Sequence, residues 1–332
     1  MRKLSLAAQA VCIASLCNSP ALAGPEYAFD RLQLESILAD LKAWLPGAWD
    51  SYPQVWHERK VTMPEEGEHE HWYRSFALID APQVGEVVFY GQINLGGRDG
   101  PVLPRTEILY KAWIDEARGV VVINGQPPAD AMRFRDLQDH PELWSEVRMR
   151  DPDAINCDFI WRRDGEQLMA VLEGKTDDRR KYGPGTCSYI SSSGAEFYAD
   201  AEWVLTPEEL WVYDINKIRG VRFIGREDRT HIRLYRARSY SCTVKTRDDQ
   251  PDTVHAAYDR GFTASLRSSR DLEFTLLRAL YPSIDRPGLE DKLRLMLMPA
   301  GTDEPLAVAE APPRAPLIRL DADGASVACS LE

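Results

Sequence analysis

Residues 156–216 read NCDFIWRRDGEQLMAVLEGKTDDRRKYGPGTCSYISSSGAEFYADAEWVLTPEELWVYDIN. Short apolar or alternating runs are broken by Asp164-Gly165, by the loop from Gly174 to Gly185, by Ser193-Gly194 and by Thr206-Pro207-Glu208-Glu209. Gly, Pro and Asp at these points supply the backbone conformations of tight turns, so the runs between them are predicted as an antiparallel meander. Cys157 and Cys187 fall on successive runs, where a cross-link would staple neighbouring strand pairs. Asp214 shares a strand face with Leu210 and Val212, because residues two apart point the same way. A carboxylate on an apolar face is either a strand-end group capping the following turn or a functional group lining an interior.

Upstream, Tyr27–Leu45 carries Leu34, Ile37, Leu38, Leu41, Trp44 and Leu45 at helical spacing, with Asp30 as N-cap and Pro46-Gly47 as stop. This helix is expected to cap one end of a sheet or barrel. His69-Glu70-His71 offers an H-x-H pair, with His57 as a distant third group, but a polar hairpin is the better reading and no metal is assigned. Val84–Leu95 is predicted as a long strand with a polar row (Glu86, Gln92 and Asn94, with Tyr90) facing solvent or a wet cavity. Arg105–Trp113 and Gly119–Asn124 form the next hairpin, and a short helix is predicted around Pro141–Val147.

Downstream, HIRLYRARSYSC (231–242) alternates as one strand. Arg222, Arg226, Arg229, Arg233, Arg236 and Arg238 could face an anionic ligand, or protect an exposed edge with charge. The polar segment 246–252 then separates a first domain, 24–245, from a small β-sandwich or β-meander module, 246–332.

Residues 1–23 have the form of an export signal: Arg2 and Lys3, an apolar core from Leu4 to Leu16, and Ala21-Leu22-Ala23 as cleavage site. The core is too short for a membrane anchor, and no later segment approaches a span. The net charge of −12 becomes two units more negative when Arg2 and Lys3 leave. Such a balance disfavours nucleic acid, which needs clustered Lys and Arg. Cys157, Cys187, Cys242 and Cys329 remain, and an even number in an oxidising compartment implies two disulfides. Of three pairings, placement at strand ends favours Cys157–Cys187 with Cys242–Cys329. The expected location is periplasmic or extracellular.

Several short motifs, taken in order, resemble the CpcT/CpeT family, the T-type chromophore lyases of phycobiliprotein assembly. They are Trp44-Leu45-Pro46-Gly47, Asn156-Cys157-Asp158, Pro184-Gly185-Thr186-Cys187, Tyr198-Ala199-Asp200-Ala201-Glu202 and Val212-Tyr213-Asp214. The resemblance covers residues 32–240 and implies an all-β fold: an antiparallel calycin-like β-barrel with an N-terminal capping helix and a ligand cavity. In such lyases the cavity holds a phycobilin for thioether attachment to a phycobiliprotein cysteine. By position, Arg105 matches the first arginine of a Tyr-Arg-x-Arg pattern, Cys157 and Cys187 the family's cysteine pair, and Asp214 its strand-end aspartate. Pro104, Glu107 and Ile215 depart from that pattern, standing where the family has Tyr, Arg and Arg.

The leading expectation is therefore a barrel that binds a bilin, another tetrapyrrole or a similar planar acidic ligand. Arg105 would meet ligand carboxylates and Asp214 pyrrole N–H groups, with Tyr90, Trp113 and Trp161 as stacking walls. The alternative is a non-catalytic envelope module for a protein or glycan partner. A hydrolase finds no GxSxG or HExxH motif to stand on.

Overall fold

Ten antiparallel strands close on themselves in the first two thirds of the chain. The computed structural model describes residues 31–61, 67–150, 157–174, 186–190, 194–226, 228–246, 253–266, 271–283, 285, 287–302, 304–322 and 324–332. The expected signal segment and the N-cap Asp30 lie outside them. Helix α1 (Arg31–Trp44) leads into β1 (Gly47–Asp50), α2 (Tyr52–Lys60) and β2 (Trp72–Ile79). Next come β3 (Val87–Leu95), β4 (Ile108–Asp115) and β5 (Val120–Gln126). After two 3-10 turns, Leu137–Asp139 and Pro141–Glu146, come β6 (Cys157–Asp164), β7 (Gln167–Gly174), β8 (Thr186–Ile190), β9 (Glu196–Leu205), β10 (Glu209–Ile218), β11 (Val221–Ile224) and β12 (Ile232–Ala237). The ring runs β10-β12-β1-β2-β3-β4-β5-β6-β7-β9, and β9 pairs back to β10 along its length. Closure leaves no long open edge in the ring, the usual hazard of a sheet. Beyond it, the upper parts of β9 and β10 continue with β8 and β11 on their flanks, so four strands project past the ring.

Alternation decides what lies inside. Trp72 and Phe76 on β2, Phe89 and Ile93 on β3, Val121 and Ile123 on β5, and Leu210 and Val212 on β10 join one buried core. The apolar stripe of α1, Leu34, Ile37 and Leu41, closes one end of this core, as its spacing predicts. Asp40 pairs with Arg163 on β6, and Arg31 with Glu116 beyond β4. Gly47 has φ +124°, a conformation open to glycine, and lets the chain turn from α1 into β1. Arg236 caps the helix end, donating to the carbonyls of Trp44 and Pro46.

The polar row corrects the sequence reading in part: Glu86, before β3, is exposed, but Tyr90, Gln92 and Asn94 on β3 face neither solvent nor a cavity. A layer spanning residues 127–149 folds over it and contributes Phe134, Leu137, Val147 and Met149 to a second core with Val88, Tyr90 and Leu109. Gln92 there donates to Asp136 (2.6 Å) and to Asn94 (3.2 Å), and accepts from the Asp136 amide (3.0 Å).

The second module is a sandwich built from β13 (Ser239–Thr246), β14 (Thr253–Tyr258), β15 (Arg260–Ser265), β16 (Leu272–Pro282), β17 (Leu289–Pro299), β18 (Ala307–Ala311), β19 (Leu317–Ala322) and β20 (Ala325–Leu331). The sheets β14-β13-β20-β19 and β15-β16-β17-β18 enclose Tyr240, Phe274, Leu276, Leu293, Leu295, Ile318 and Val327. The expected boundary at residue 245/246 falls one strand late. HIRLYRARSYSC is not one strand: Arg238 breaks it, its amide donating to Asp259 (2.8 Å), and β13 pairs only within the sandwich.

Both expected disulfides are present. Cys157–Cys187 ties the start of β6 to β8, and Cys242–Cys329 joins directly opposed residues of β13 and β20. Two disulfides fit an oxidising compartment. Among the described residues no helix is long and apolar enough to cross a membrane.

Candidate functional site

Inward-facing side chains divide the barrel into two halves. Toward α1 it is filled: Trp49, Phe89, Val121, Trp161, Leu168, Leu205, Leu210 and Leu234 are wholly buried. Toward the far end Leu95, Ile108, Phe197, Asp214 and Asn216 keep accessible surface although Asp214 and its neighbours follow the inward parity of the core. The far end of the barrel is therefore less fully packed than the end under α1.

Arg74 stands between the two halves. It lies on β2 between the inward Trp72 and Phe76 and is 3% exposed. One terminal nitrogen, Nη2, donates to the Tyr110 hydroxyl at 2.9 Å. Its guanidinium carbon sits 4.2 Å from the Trp203 ring centroid and 4.8 Å from that of Phe76. Nε and Nη1 have no hydrogen-bond partner among the described residues. Trp203 is the hub of an aromatic floor, with Phe159, Tyr110, Phe76 and Trp161 at centroid distances of 4.8, 5.9, 6.1 and 6.2 Å. The indole N–H groups of Trp161 and Trp203 likewise find no acceptor. Two glycines make room for the Tyr110 ring. A methyl group on Gly91 would stand 2.9 Å from both Tyr110 and Phe76, and one on Gly125 would stand 3.0 Å from Tyr110.

Asp214 faces the same space from β10. Its Oδ1 accepts from the Asn216 amide, and no ion pair joins it to Arg74. Burial pushes its carboxyl up to about 6, against the smaller opposing effects of Arg74 and the Asn216 hydrogen bond. The Tyr110 hydroxyl is likewise held above its ordinary value by burial, with Arg74 opposing and Asp214 adding to the rise. Cation, aromatic floor and uncompensated carboxylate are features expected of a small-molecule site.

The structure sorts the residues expected from sequence. Asp214 and Trp161 point inward, though Trp161 lies in the filled half. Tyr90 and Trp113 do not face the barrel interior. Tyr90 faces outward beneath the covering layer, its hydroxyl donating to Gln92 (2.9 Å), and Trp113 packs outside with Val120, Val122 and Ile160. On a barrel strand the two faces alternate, and both are apolar where an outer layer covers the wall. Arg105 is not beside Asp214. It is exposed on the turn before β4, with φ +72°, and reaches over the Phe223 ring of β11 at 5.9 Å.

The arginine cluster is largely engaged within the protein. Arg238 binds both oxygens of Glu208, Arg233 pairs with Glu209, Arg226 with Asp228, and Arg229 lies 3.6 Å from Asp200. His69 and His71 diverge: Nδ1 of His69 meets Glu58 (2.7 Å), and Nε2 of His71 meets Asp50 (2.8 Å). Among the described residues no group of three or more His, Cys, Asp or Glu side chains could hold a metal. A polar cleft of about 340 Å³ opens beside the mouth, lined in part by Glu68, Glu70, Arg222 and Arg226, and it reaches the core residues Trp72 and Ile232.

Arg74 is the residue the sequence reading passed over. Its signal was present in WYRSFALI (72–79), where Trp72, Arg74 and Phe76 share a face. That is the same pattern, a charge on an apolar face, that singled out Asp214. No family model matches the chain, and no curated protein matches it.

Proposed function

We propose that the barrel is an exported binding protein, resembling the T-type chromophore lyases, for a small planar ligand that carries an acid group. A bilin or another tetrapyrrole is the ligand class with these features. The acid group would take Arg74, and the ring system would lie on the floor made by Trp203, Phe76 and Phe159. One observation carries this reading: a buried guanidinium with two N–H edges unanswered among the described residues, below the less fully packed end of the barrel. Burying an unpaired charge costs several kcal/mol, and a ligand anion supplies the missing partner. The two disulfides support the expected compartment. A lyase activity would need a group that promotes thioether formation, and we assign none.

Spectral titration with biliverdin and with haem tests the proposal. Saturable shifts are expected, and Arg74→Met should abolish them while the melting temperature is no lower than that of the parent. No spectral change with either compound would remove the tetrapyrrole class and favour the non-catalytic protein- or glycan-binding alternative.

A further inference from the structure

We propose that the barrel takes up its anionic ligand together with one proton, which Asp214 carries in the complex. This rests on the reading that the ligand's acid group sits on Arg74. Arg74 is the cation that acts most on Asp214, yet it forms no ion pair with it. Asp214 has the Asn216 amide as its hydrogen-bond donor, and Arg74 has the Tyr110 hydroxyl as its partner. In the ligand-free barrel a buried positive charge and a partly buried negative one thus share the upper half without direct pairing.

An arriving anion changes that balance. It takes the free Nε and Nη1 edges of Arg74 and so draws off the one favourable charge that Asp214 feels. It also sets a second negative charge near the first, in surroundings where like charges repel strongly. The remaining charged and titratable neighbours do not relieve this. Tyr110, on β4, is held neutral by burial. Asp200, on β9, adds negative charge and is itself partly answered by Arg229. The inward positions of β9 beside Asp214 are Ala199 and Ala201, and that of β12 is Ile232. The low-energy complex therefore has a neutral Asp214 carboxyl, which donates its proton to a ligand oxygen while Arg74 holds the anion. The balance is anion plus one proton in, and the same anion and proton out. Burial already pushes the Asp214 carboxyl up to about 6 in the empty barrel, so the coupling falls within a physiological range. Acidification would load the barrel, and a rise in pH would unload it.

The test uses the full mature chain and 1-anilinonaphthalene-8-sulfonate, a planar fluorescent acid whose sulfonate stays ionised throughout, so only the protein titrates. Affinity is expected to be at least about tenfold tighter near pH 5 than near pH 8, approaching the tenfold per pH unit of a one-proton linkage above about pH 6. Asp214→Asn, an isosteric neutral side chain, should bind tightly at both pH values with the dependence gone. Calorimetry in two buffers of different ionisation heat should count one proton taken up near pH 7 by the parent and none by the variant. Equal affinity at both pH values, or tighter binding at high pH, would overturn the proton coupling alone. The second outcome would make Asp214 an ionised acceptor for ligand N–H groups. No saturable binding at either pH, or binding unchanged by Arg74→Met, would remove both the coupling and the reading beneath it.

Discussion

The barrel interior and the seam between the two modules both bury arginines, and they treat them in opposite ways. In the seam the buried arginines face carboxylates. Arg278 donates to both oxygens of Asp291 and to Glu208, and Arg238 and Arg314 share the same Glu208. Arg260, 4% exposed, donates to the carbonyls of Arg278 (2.7 Å) and Arg236 (3.1 Å) and lies 3.8 Å from Asp259. Arg238 Nη1 and Asp259 Oδ2, which lack a hydrogen bond among the described residues, face each other at 3.7 Å. In the barrel Arg74 has one hydroxyl and two aromatic faces. A buried cation that serves architecture recruits its counter-charge from the chain. On the proposed reading, Arg74 leaves that place to a ligand.

The sharpest way to break this contrast is a pair of equivalent substitutions. Arg260→Met would leave two carbonyls without their donor and take one of two cations from the wholly buried Asp259, and should destabilise the protein by about 3–5 kcal/mol in denaturant melts. Arg74→Met removes a buried charge that has no ion pair and should leave stability unchanged or raise it by about 1 kcal/mol or more. Equal losses would mean that Arg74 is as structural as Arg260.

Disulfide removal compares the modules themselves. Cys242→Ala with Cys329→Ala opens a loop of sequence separation 87, and Cys157→Ala with Cys187→Ala one of 30. By chain entropy the barrel pair should cost about 3.5 kcal/mol and the sandwich pair about 1 kcal/mol more. Chemical denaturation of both double variants reads the difference, and the reverse order would locate extra stabilisation in the β6–β8 link.

Asp214→Asn gives a smaller, pH-dependent effect. The folded carboxyl is raised to about 6, above its unfolded value, so Asp214 favours folding at low pH and loses that contribution as pH rises through 6. The parent and the variant should melt alike near pH 4. Above about pH 6.5 the variant should be more stable by up to about 3 kcal/mol, the equivalent of the two-unit shift. A gap that widens on acidification would show that Asp214 is stabilised as an ion. The smallest effect is expected at Arg105, whose φ of +72° disfavours a side chain. Arg105→Gly should raise stability by up to about 1 kcal/mol, and any large loss of ligand binding would return Arg105 to the site.

Strand alternation made the barrel legible, together with α1 and both disulfides, because period and turn chemistry are local. Within the site only some of that logic carried over. Asp214 was legible because a single charge interrupts an apolar face, and Arg74 carried the same mark between Trp72 and Phe76. Tyr90 and Trp113 were misplaced because the layer over residues 127–149 makes the outside of β3 as apolar as the inside. No pattern within a strand distinguishes a wall facing a cavity from a wall facing a covering layer. The module boundary was missed for a related reason: Arg238 ends one sheet and begins another with neither Gly nor Pro to mark the change.

The pairing of β1 with β12 has a kinetic side. Ala48 lies opposite Ala237, so almost the whole barrel sequence separates the two strands whose contact completes the ring. Loop closure over that span must precede any reward from the final ladder, which makes ring completion a slow, non-local event. The sandwich pins its own β13 against its own β20, and its longest hairpin, β16 with β17, is local. During synthesis the barrel strands emerge first, yet β1 keeps one edge unpaired until residue 237 has been delivered. Until then the nascent chain has an open strand edge available to other chains, and a chaperone that shields β1 would act within that interval.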